Sequence, residues 1–317
     1  MLFKMRHCLI LLALWALSLP LFAQEGEPIV FTPQWTAQAQ FAGYYVAKEK
    51  GFYTEEGVRV LIVHPNATQS SMERIRSNKS HATTLQLAQA LQMIDEGIPM
   101  VNLLQTSMNN ALVIVSRRGK NPLKMPGAKV AIWQAGFTQL AECIMNETGL
   151  DYHWVKAASS VNLFIAGAVD ASVAMSYNEY YRILQAGIPL EEEGVYRFSE
   201  HGYNVQEDGL YVTREYYRKH KDQVEAFARA SRRGWEYAAE HPEEALSIVM
   251  DYVRRNNIAT NPILQRLMLD EILRLQLDPD SGQREFRLRE DMVRQASELM
   301  LRGGQINHPV TIEDLHP

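Results

Sequence analysis

The stretch Trp35-Thr-Ala-Gln-Ala-Gln-Phe-Ala-Gly-Tyr-Tyr-Val-Ala-Lys-Glu-Lys-Gly-Phe-Tyr53 is the part of the chain from which the fold is best predicted. It follows the apolar run Ile29-Val-Phe31, which is typical of a buried strand, and its own apolar residues recur at helical spacing up to Gly51. The pattern predicts a strand, a turn and a helix. Trp35 and Gln38 fall in the turn, at the sheet edge where open α/β folds bind ligands. An aromatic ring beside an amide there suits a flat, hydrogen-bonding molecule, and the alternative is that Trp35 belongs to the core.

The N-terminal residues have the pattern of an export signal. Two basic residues precede an apolar run from Leu9 to Leu19, and Ala23 offers a small residue at the cleavage position. Cys8 comes before the apolar run and is not placed for lipidation after it. We therefore expect residues 1–23 to be a cleaved signal peptide, and the mature protein to be periplasmic and not a lipoprotein.

Composition and motifs favour a binding protein over an enzyme. The net charge of −5, without basic runs, argues against nucleic acid as a partner. Only Cys143 remains after the expected cleavage, so no internal disulfide is possible. No Walker loop, dinucleotide glycine fingerprint or nucleophile elbow occurs, and the 9 histidines lack metal-ligand spacing. We expect no catalytic residues, no metal and no cofactor.

Strand-like and helix-like segments alternate up to residue 213, with a polar break rich in turn formers at residues 117–127. This alternation predicts an α/β protein with two lobes, each a parallel sheet covered by helices on both faces. After residue 213 the pattern is purely helical. Helices are predicted there at residues 221–239, 242–255, 261–275 and 289–302.

The opening stretch, with the Glu55-Glu-Gly-Val58 run that follows it, resembles the start of the NMT1/THI5-like (SsuA/THI5-like) proteins. These are substrate-binding proteins related to sulfonate, nitrate and taurine receptors. The resemblance implies a type II periplasmic-binding-protein clamshell with a C-terminal helical extension packed on lobe one.

In such a clamshell the chain crosses twice between the lobes. We expect the crossings near residues 112–118 and 207–213. Lobe one is then predicted to comprise residues 28–115 and 213–317, and lobe two residues 116–212.

Polar and aromatic residues follow the predicted strands of both lobes, at the edges that would face each other. The candidate ligand-binding residues of this kind are Trp35, Gln38, Thr83, Thr84, Asn109 and Asn110 in lobe one, and Gln134, Gly136, Phe137, Met175, Tyr177, Asn178 and Glu179 in lobe two. Thr83 and Thr84 are expected to open a helix whose free amides could bind a ligand oxygen, or to form a plain N-cap. Gly136 would let a ligand approach the backbone, although a tight turn explains it equally well.

Two segments resemble ligand-facing parts of the family. In the first, Tyr177 would offer a ring for stacking, and Glu179 a carboxylate for the ring nitrogen and amine of an aminopyrimidine. The alternative for Glu179 is a favourable interaction with the helix dipole. In the second, Glu207 and Asp208 match a hinge segment beside the cleft. Glu207 or Asp208 is expected to reach the ligand, and the alternative is a role in hinge hydrogen bonds.

The family also includes eukaryotic pyrimidine-precursor synthases, which hold pyridoxal phosphate on a lysine near a histidine and carry a cysteine-rich stretch. The matching segments here, residues 84–89 and 203–211, contain no lysine, histidine or cysteine. The lysine, histidine and cysteines that the synthase reaction needs are therefore missing from these segments.

The resemblance then implies a monomeric binding protein that delivers a thiamine-related pyrimidine to the permease and ATPase of an ABC importer. A sulfonate or other anion is a less favoured ligand, because no arginine or lysine stands at the predicted edges. A synthase-type enzyme and a sensory protein that docks on a membrane receptor are the alternative functions.

Overall fold

The computed structural model describes residues 27–66, 69–117, 119–133, 138–157 and 160–317. The predicted signal peptide and three predicted site residues, Gln134, Gly136 and Phe137, lie outside the described residues. In the described part, no helix has the length and apolar character needed to cross a membrane.

Two mixed sheets of five strands each form the centres of the two lobes in the described chain. The strands are β1 (Ile29–Thr32), β2 (Val60–Ile62), β3 (Ala82–Gln86), β4 (Met100–Gln105), β5 (Leu112–Ser116), β6 (Lys129–Trp133), β7 (His153–Ala157), β8 (Ala171–Met175), β9 (Val195–Arg197) and β10 (Asp208–Thr213). Their order is β2-β1-β3-β10-β4 in the first sheet and β7-β6-β8-β5-β9 in the second.

The prediction that the sheets are parallel is wrong for one central strand in each. β10 runs antiparallel to β3 and β4, and β5 runs antiparallel to β8 and β9. Each of these strands enters its sheet directly from the other lobe and not through a crossover helix, which is the connection that parallel pairing needs. The remaining pairs, β1 with β2 and β3, and β6 with β7 and β8, are parallel as expected.

The passages between the lobes lie slightly earlier in the chain than the sequence indicates. Since β5 already belongs to the second sheet and β10 to the first, the chain changes lobe at residues 106–111 and 202–207. The predicted lobe boundaries after residues 115 and 212 therefore assign all but one residue of β5 and of β10 to the wrong lobe.

Helices cover both sheets and form the C-terminal part of the chain. They are α1 (Ala42–Glu49), α2 (Phe52–Glu55), α3 (Ser71–Arg76), α4 (Leu87–Asp95), α5 (Gln139–Glu147), α6 (Asn162–Ile165), α7 (Glu179–Gln185), α8 (Arg214–Lys219), α9 (Lys221–Glu240), α10 (Pro242–Arg255), α11 (Pro262–Leu275) and α12 (Glu290–Arg302). The predicted C-terminal helices are present, with ends within one residue of the expected ones.

Two glycines allow α9 to pack closely on α1. A β-carbon on Gly234 would lie 2.0 Å from the carbonyl oxygen of Gly43, and one on Gly43 would lie 2.2 Å from the ring of Trp235. Trp235 is buried and meets Tyr44 edge-on at 5.7 Å between ring centroids. The helical extension is thereby held on lobe one, directly behind the helix that follows Trp35.

The last two long helices also contact lobe two. Ser176 donates to a carboxylate oxygen of Glu271 on α11 at 2.6 Å, and Arg302 on α12 pairs with Glu147 on α5. The extension therefore bridges the lobes as well as covering the first one.

Candidate functional site

A cleft lies between the two sheets, at the ends where β1 and β8 finish. The empty space between its walls is about 350 Å³, counted out to the open solvent. The lining residues are Gln34, Trp35, Gln38, Gln40, Gln86, Trp133, Met175, Tyr177, Asn178 and Glu179. The structure thus places Trp35 and the segment 175–179 on opposite walls of one cleft.

The walls are largely shielded from solvent. Tyr177 is 5% exposed and Glu179 is 6% exposed. The two chain passages between the lobes, residues 106–111 and 202–207, form the candidate hinge.

Trp35 is held through its main chain by a partly buried imidazole. His64 Nδ1 lies 2.7 Å from the carbonyl oxygen of Trp35, and His64 Nε2 lies 2.9 Å from the hydroxyl of Tyr45. Tyr45 in turn stacks on Tyr252 of α10 at 4.0 Å. A neutral imidazole protonated on Nδ1 satisfies both contacts, because it donates to the carbonyl and accepts from the hydroxyl.

Burial lowers the pKa of His64 to about 4, although its hydrogen bond to the Trp35 carbonyl partly opposes the shift. In the unfolded chain the pKa returns to about 6.5. The unfolded state therefore binds more protons than the folded state between these values, and stability falls as the pH is lowered through this window.

We expect the free energy of unfolding to fall by about 2 kcal/mol more in the wild type than in His64→Gln between pH 7 and pH 4.5. Glutamine can bond to the Trp35 carbonyl and the Tyr45 hydroxyl but does not titrate. Urea denaturation at a series of pH values measures the difference. If the free energy of unfolding changes with pH by the same amount in the two proteins, His64 does not titrate in this way.

Asp208 accepts hydrogen bonds from two glutamines of the cleft. Gln34 Nε2 donates to one of its oxygens at 2.8 Å, and Gln40 Nε2 donates to the other at 2.6 Å. Gln38 Nε2 donates to Gln40 Oε1 at 2.6 Å, which extends the chain of amides to the cleft wall. Burial raises the pKa of Asp208, and the two glutamine hydrogen bonds partly offset the shift.

Glu179 fixes the turn that carries the lobe-two wall. One carboxylate oxygen accepts from the backbone N–H of Met175 at 3.0 Å, and the other accepts from Asn178 Nδ2 at 3.0 Å. Burial raises the pKa of Glu179, and the Met175 amide lowers it in part. Burial also raises the pKa of Tyr177, and the nearby acids Asp208, Glu207 and Glu179 add to this shift.

The cleft is rich in carboxamide side chains and poor in cations. Among the described residues that line it there is no lysine, arginine or histidine. Glu179 and Asp208 are both buried at or beside it. Such a wall can donate and accept hydrogen bonds, but it offers no positive charge to an anion.

Comparison with known proteins assigns the family. The sequence profile described as NMT1/THI5 like matches residues 38–245, which reach from the Gln38 turn through lobe two into α10. The chain belongs to the NMT1/THI5-like family. The predicted resemblance is confirmed.

Two curated proteins are similar to this NMT1/THI5-like chain over most of its length. A Haemophilus influenzae protein named for thiamine biosynthesis is 24% identical over 264 residues, covering 81% of this chain and 82% of that protein. The formylaminopyrimidine-binding protein of Halalkalibacterium halodurans is 24% identical over 269 residues, covering 76% of this chain and 74% of that protein.

Among solved structures, the periplasmic aliphatic sulphonate binding protein SsuA of Escherichia coli matches with a TM-score of 0.66 and 12% identity, over 92% of each chain. At this identity the likeness concerns the fold alone. The predicted two-lobe fold of the periplasmic binding proteins is confirmed.

Three predicted site residues lie at the hinge of this NMT1/THI5-like protein and not on the cleft wall. Asn110 N–H donates to Asn204 Oδ1 at 2.8 Å, and Asn204 Nδ2 donates to Asn109 Oδ1 at 3.0 Å. Glu207 accepts from the backbone N–H of Ala111 at 2.7 Å. These bonds join the two passages between the lobes, as the hinge alternative for Glu207 predicted.

The prediction that Thr83 and Thr84 open a helix is wrong. Both lie inside β3, opposite Tyr211 and Leu210 of β10, and α4 begins only at Leu87. Thr83 Oγ1 donates to the carbonyl of Thr32, and Thr84 Oγ1 accepts from the backbone N–H of Gln34. Their backbone amides are therefore not the free amides of a helix start.

Sequence reasoning missed four cleft-lining residues of this NMT1/THI5-like chain. These are Gln34, Gln40, Gln86 and Trp133. Trp133 ends β6 and Gln86 ends β3, so the same argument from strand ends could have found both. In the described ranges, no three His, Cys, Asp or Glu side chains are grouped to hold a metal ion.

Proposed function

We propose that this protein is a periplasmic solute-binding protein that takes a thiamine-related pyrimidine into the cleft. In this proposal the ring stacks between Trp35 and Tyr177, and the acceptor groups of the cleft bind its N–H donors. The two lobes open at the hinge to admit the ligand and close to bury it.

The observation that carries the proposal is the composition of the cleft. Two aromatic rings on opposite walls suit a planar molecule, and carboxamides without a lining cation suit an uncharged nitrogen base that both donates and accepts hydrogen bonds. The formylaminopyrimidine-binding relative adds support for this ligand class. A sulfonate would bring a negative charge beside buried carboxylates and is disfavoured.

The proposed partners are the permease and ATPase of an ABC importer, to which the monomer delivers its ligand after export with the N-terminal signal. A role in binding and not in catalysis agrees with the family's receptors and with the absence of a synthase-type lysine at residues 84–89. Addition of pyridoxal phosphate and iron tests this point, since an imine absorbance band would favour a synthase.

Isothermal calorimetry on refolded, ligand-free protein tests the ligand class. The panel contains formylaminopyrimidine, hydroxymethylpyrimidine, thiamine, an alkanesulfonate and nitrate. We expect saturable binding of one or both simple pyrimidines, and no binding of the two anions. Binding of the sulfonate alone, or of no compound in the panel, would overturn the proposal.

A further inference from the structure

The amide of Gln34 has a fixed orientation. Its Nε2 donates to Asp208 at 2.8 Å, and its backbone N–H donates to Thr84 Oγ1 at 2.9 Å. Both carboxyl oxygens of Asp208 act as acceptors here, one for Gln34 Nε2 and the other for Gln40 Nε2, so a reversed Gln34 amide would set its carbonyl oxygen against an acceptor. Asp208 therefore turns the carbonyl end of Gln34 away from itself.

That carbonyl oxygen has no hydrogen-bond partner among the described residues. Gln34 Oε1 is buried, and the residue as a whole is 4% exposed and lines the cleft. Buried polar atoms in folded proteins are almost always paired, because an unpaired one costs the free energy of its lost hydration. An unpaired acceptor on a residue that lines the cleft is a group that a hydrogen-bond donor of a ligand can satisfy.

Gln40 provides a contrast in the same cluster. It also donates to Asp208, at 2.6 Å, but its own Oε1 already accepts from Gln38 Nε2. Of the two glutamines that Asp208 orients, only Gln34 has an acceptor left unused.

We propose that Gln34 Oε1 is the specificity-determining acceptor for an exocyclic N–H group of the ligand, and that Asp208 is the positioning residue that fixes its orientation. This inference rests on the proposed function and names the polar group by which the cleft selects its pyrimidine. A ligand with an amino group satisfies the orphan oxygen, whereas an analogue with a carbonyl or a hydrogen there leaves it unpaired.

The test uses two pyrimidines that differ at one position, a 4-amino compound of the thiamine type and the same compound with hydrogen in place of the amine. Calorimetry gives the ratio of their affinities for each protein. We expect the wild type to prefer the amino compound by about 10-fold to 100-fold. Gln34→Met is expected to bring the ratio within about 3-fold of unity, because methionine keeps the length of the side chain without the acceptor.

Gln40→Met is the matched control. It removes the other donor to Asp208, so we expect it to change the affinity for both compounds by a similar factor and to leave their ratio near the wild-type value. Asp208→Asn tests the positioning role. Its amide can donate to Gln34 Oε1, which lets the glutamine turn round, and the preference for the amino compound is then expected to fall.

The outcomes separate the two proposals. If the wild type binds both compounds and Gln34→Met keeps the preference for the amine, the role of Gln34 is overturned while the proposed function stands. If the wild type binds neither compound, both are overturned. If Gln34→Met fails to fold, the ratio of the wild-type affinities for the two compounds decides the question. A ratio near one would show that Gln34 Oε1 does not recognise the amino group.

Discussion

The Gly234→Ala substitution is expected to lower the free energy of unfolding by about 3 kcal/mol. A β-carbon there would lie 2.0 Å from the carbonyl oxygen of Gly43 and 2.9 Å from the backbone nitrogen of Ala47. Both atoms belong to the backbone of α1, so no side-chain rotation relieves the clash, and α9 has to move away. By itself a glycine-to-alanine change inside a helix stabilises by about 1 kcal/mol. A loss of stability is therefore specific to the contact between the two helices.

Urea denaturation of the purified protein measures this change. Glu240→Ala is the control, because it introduces the same residue at the exposed end of the same helix and is expected to stay within about 0.5 kcal/mol of the wild type. A Gly234→Ala protein as stable as the wild type would mean that the helices do not pack as closely as described.

The C-terminal helices could be predicted from sequence because their signals are local. α10 begins at Pro242 and α11 at Pro262, a position where proline costs a helix nothing, and both helices carry apolar residues at helical spacing. Neither signal depends on a distant part of the chain. The family resemblance then predicted that these helices pack on lobe one.

The direction of the central strands could not be predicted in the same way. Strand periodicity fixes which residues face the core, but it is identical for parallel and antiparallel pairing. Thr83 and Thr84 show the consequence. A threonine pair before an apolar run resembles a helix cap, and only the arrival of β10 as a partner extends β3 through Gln86.

The site was predictable where it follows the ends of strands. Trp35, Tyr177 and Glu179 were expected at sheet edges, and they line the cleft. Gln34 and its partner Asp208 are 174 residues apart, and no local pattern marks a glutamine whose carbonyl is left unpaired by that contact. Residues whose role comes from a distant hydrogen bond can be found only in the folded structure.

The Trp35→Ala substitution is expected to weaken binding of the cognate pyrimidine about 30-fold to 100-fold. The indole forms one wall of the cleft, opposite Tyr177, and its loss removes both the stacking contact and the apolar area that closure buries. The hydrogen bond from His64 goes to the Trp35 backbone carbonyl and not to the ring. The turn therefore keeps this support in the alanine variant, and the change reports on the ring itself.

Calorimetry with the pyrimidine that binds the wild type measures the effect, and urea denaturation shows whether the turn has kept its structure. Trp35→Phe is expected to retain most of the affinity, because a smaller ring still stacks. Trp154→Ala is the matched control, since Trp154 lies on the edge strand β7 against Tyr152 and does not line the cleft. If Trp35→Ala binds within about 3-fold of the wild type, the indole belongs to the scaffold and the ligand lies elsewhere. Equal losses in Trp35→Ala and Trp154→Ala would instead point to a general effect on the fold, because only the first residue can touch a molecule held between the lobes.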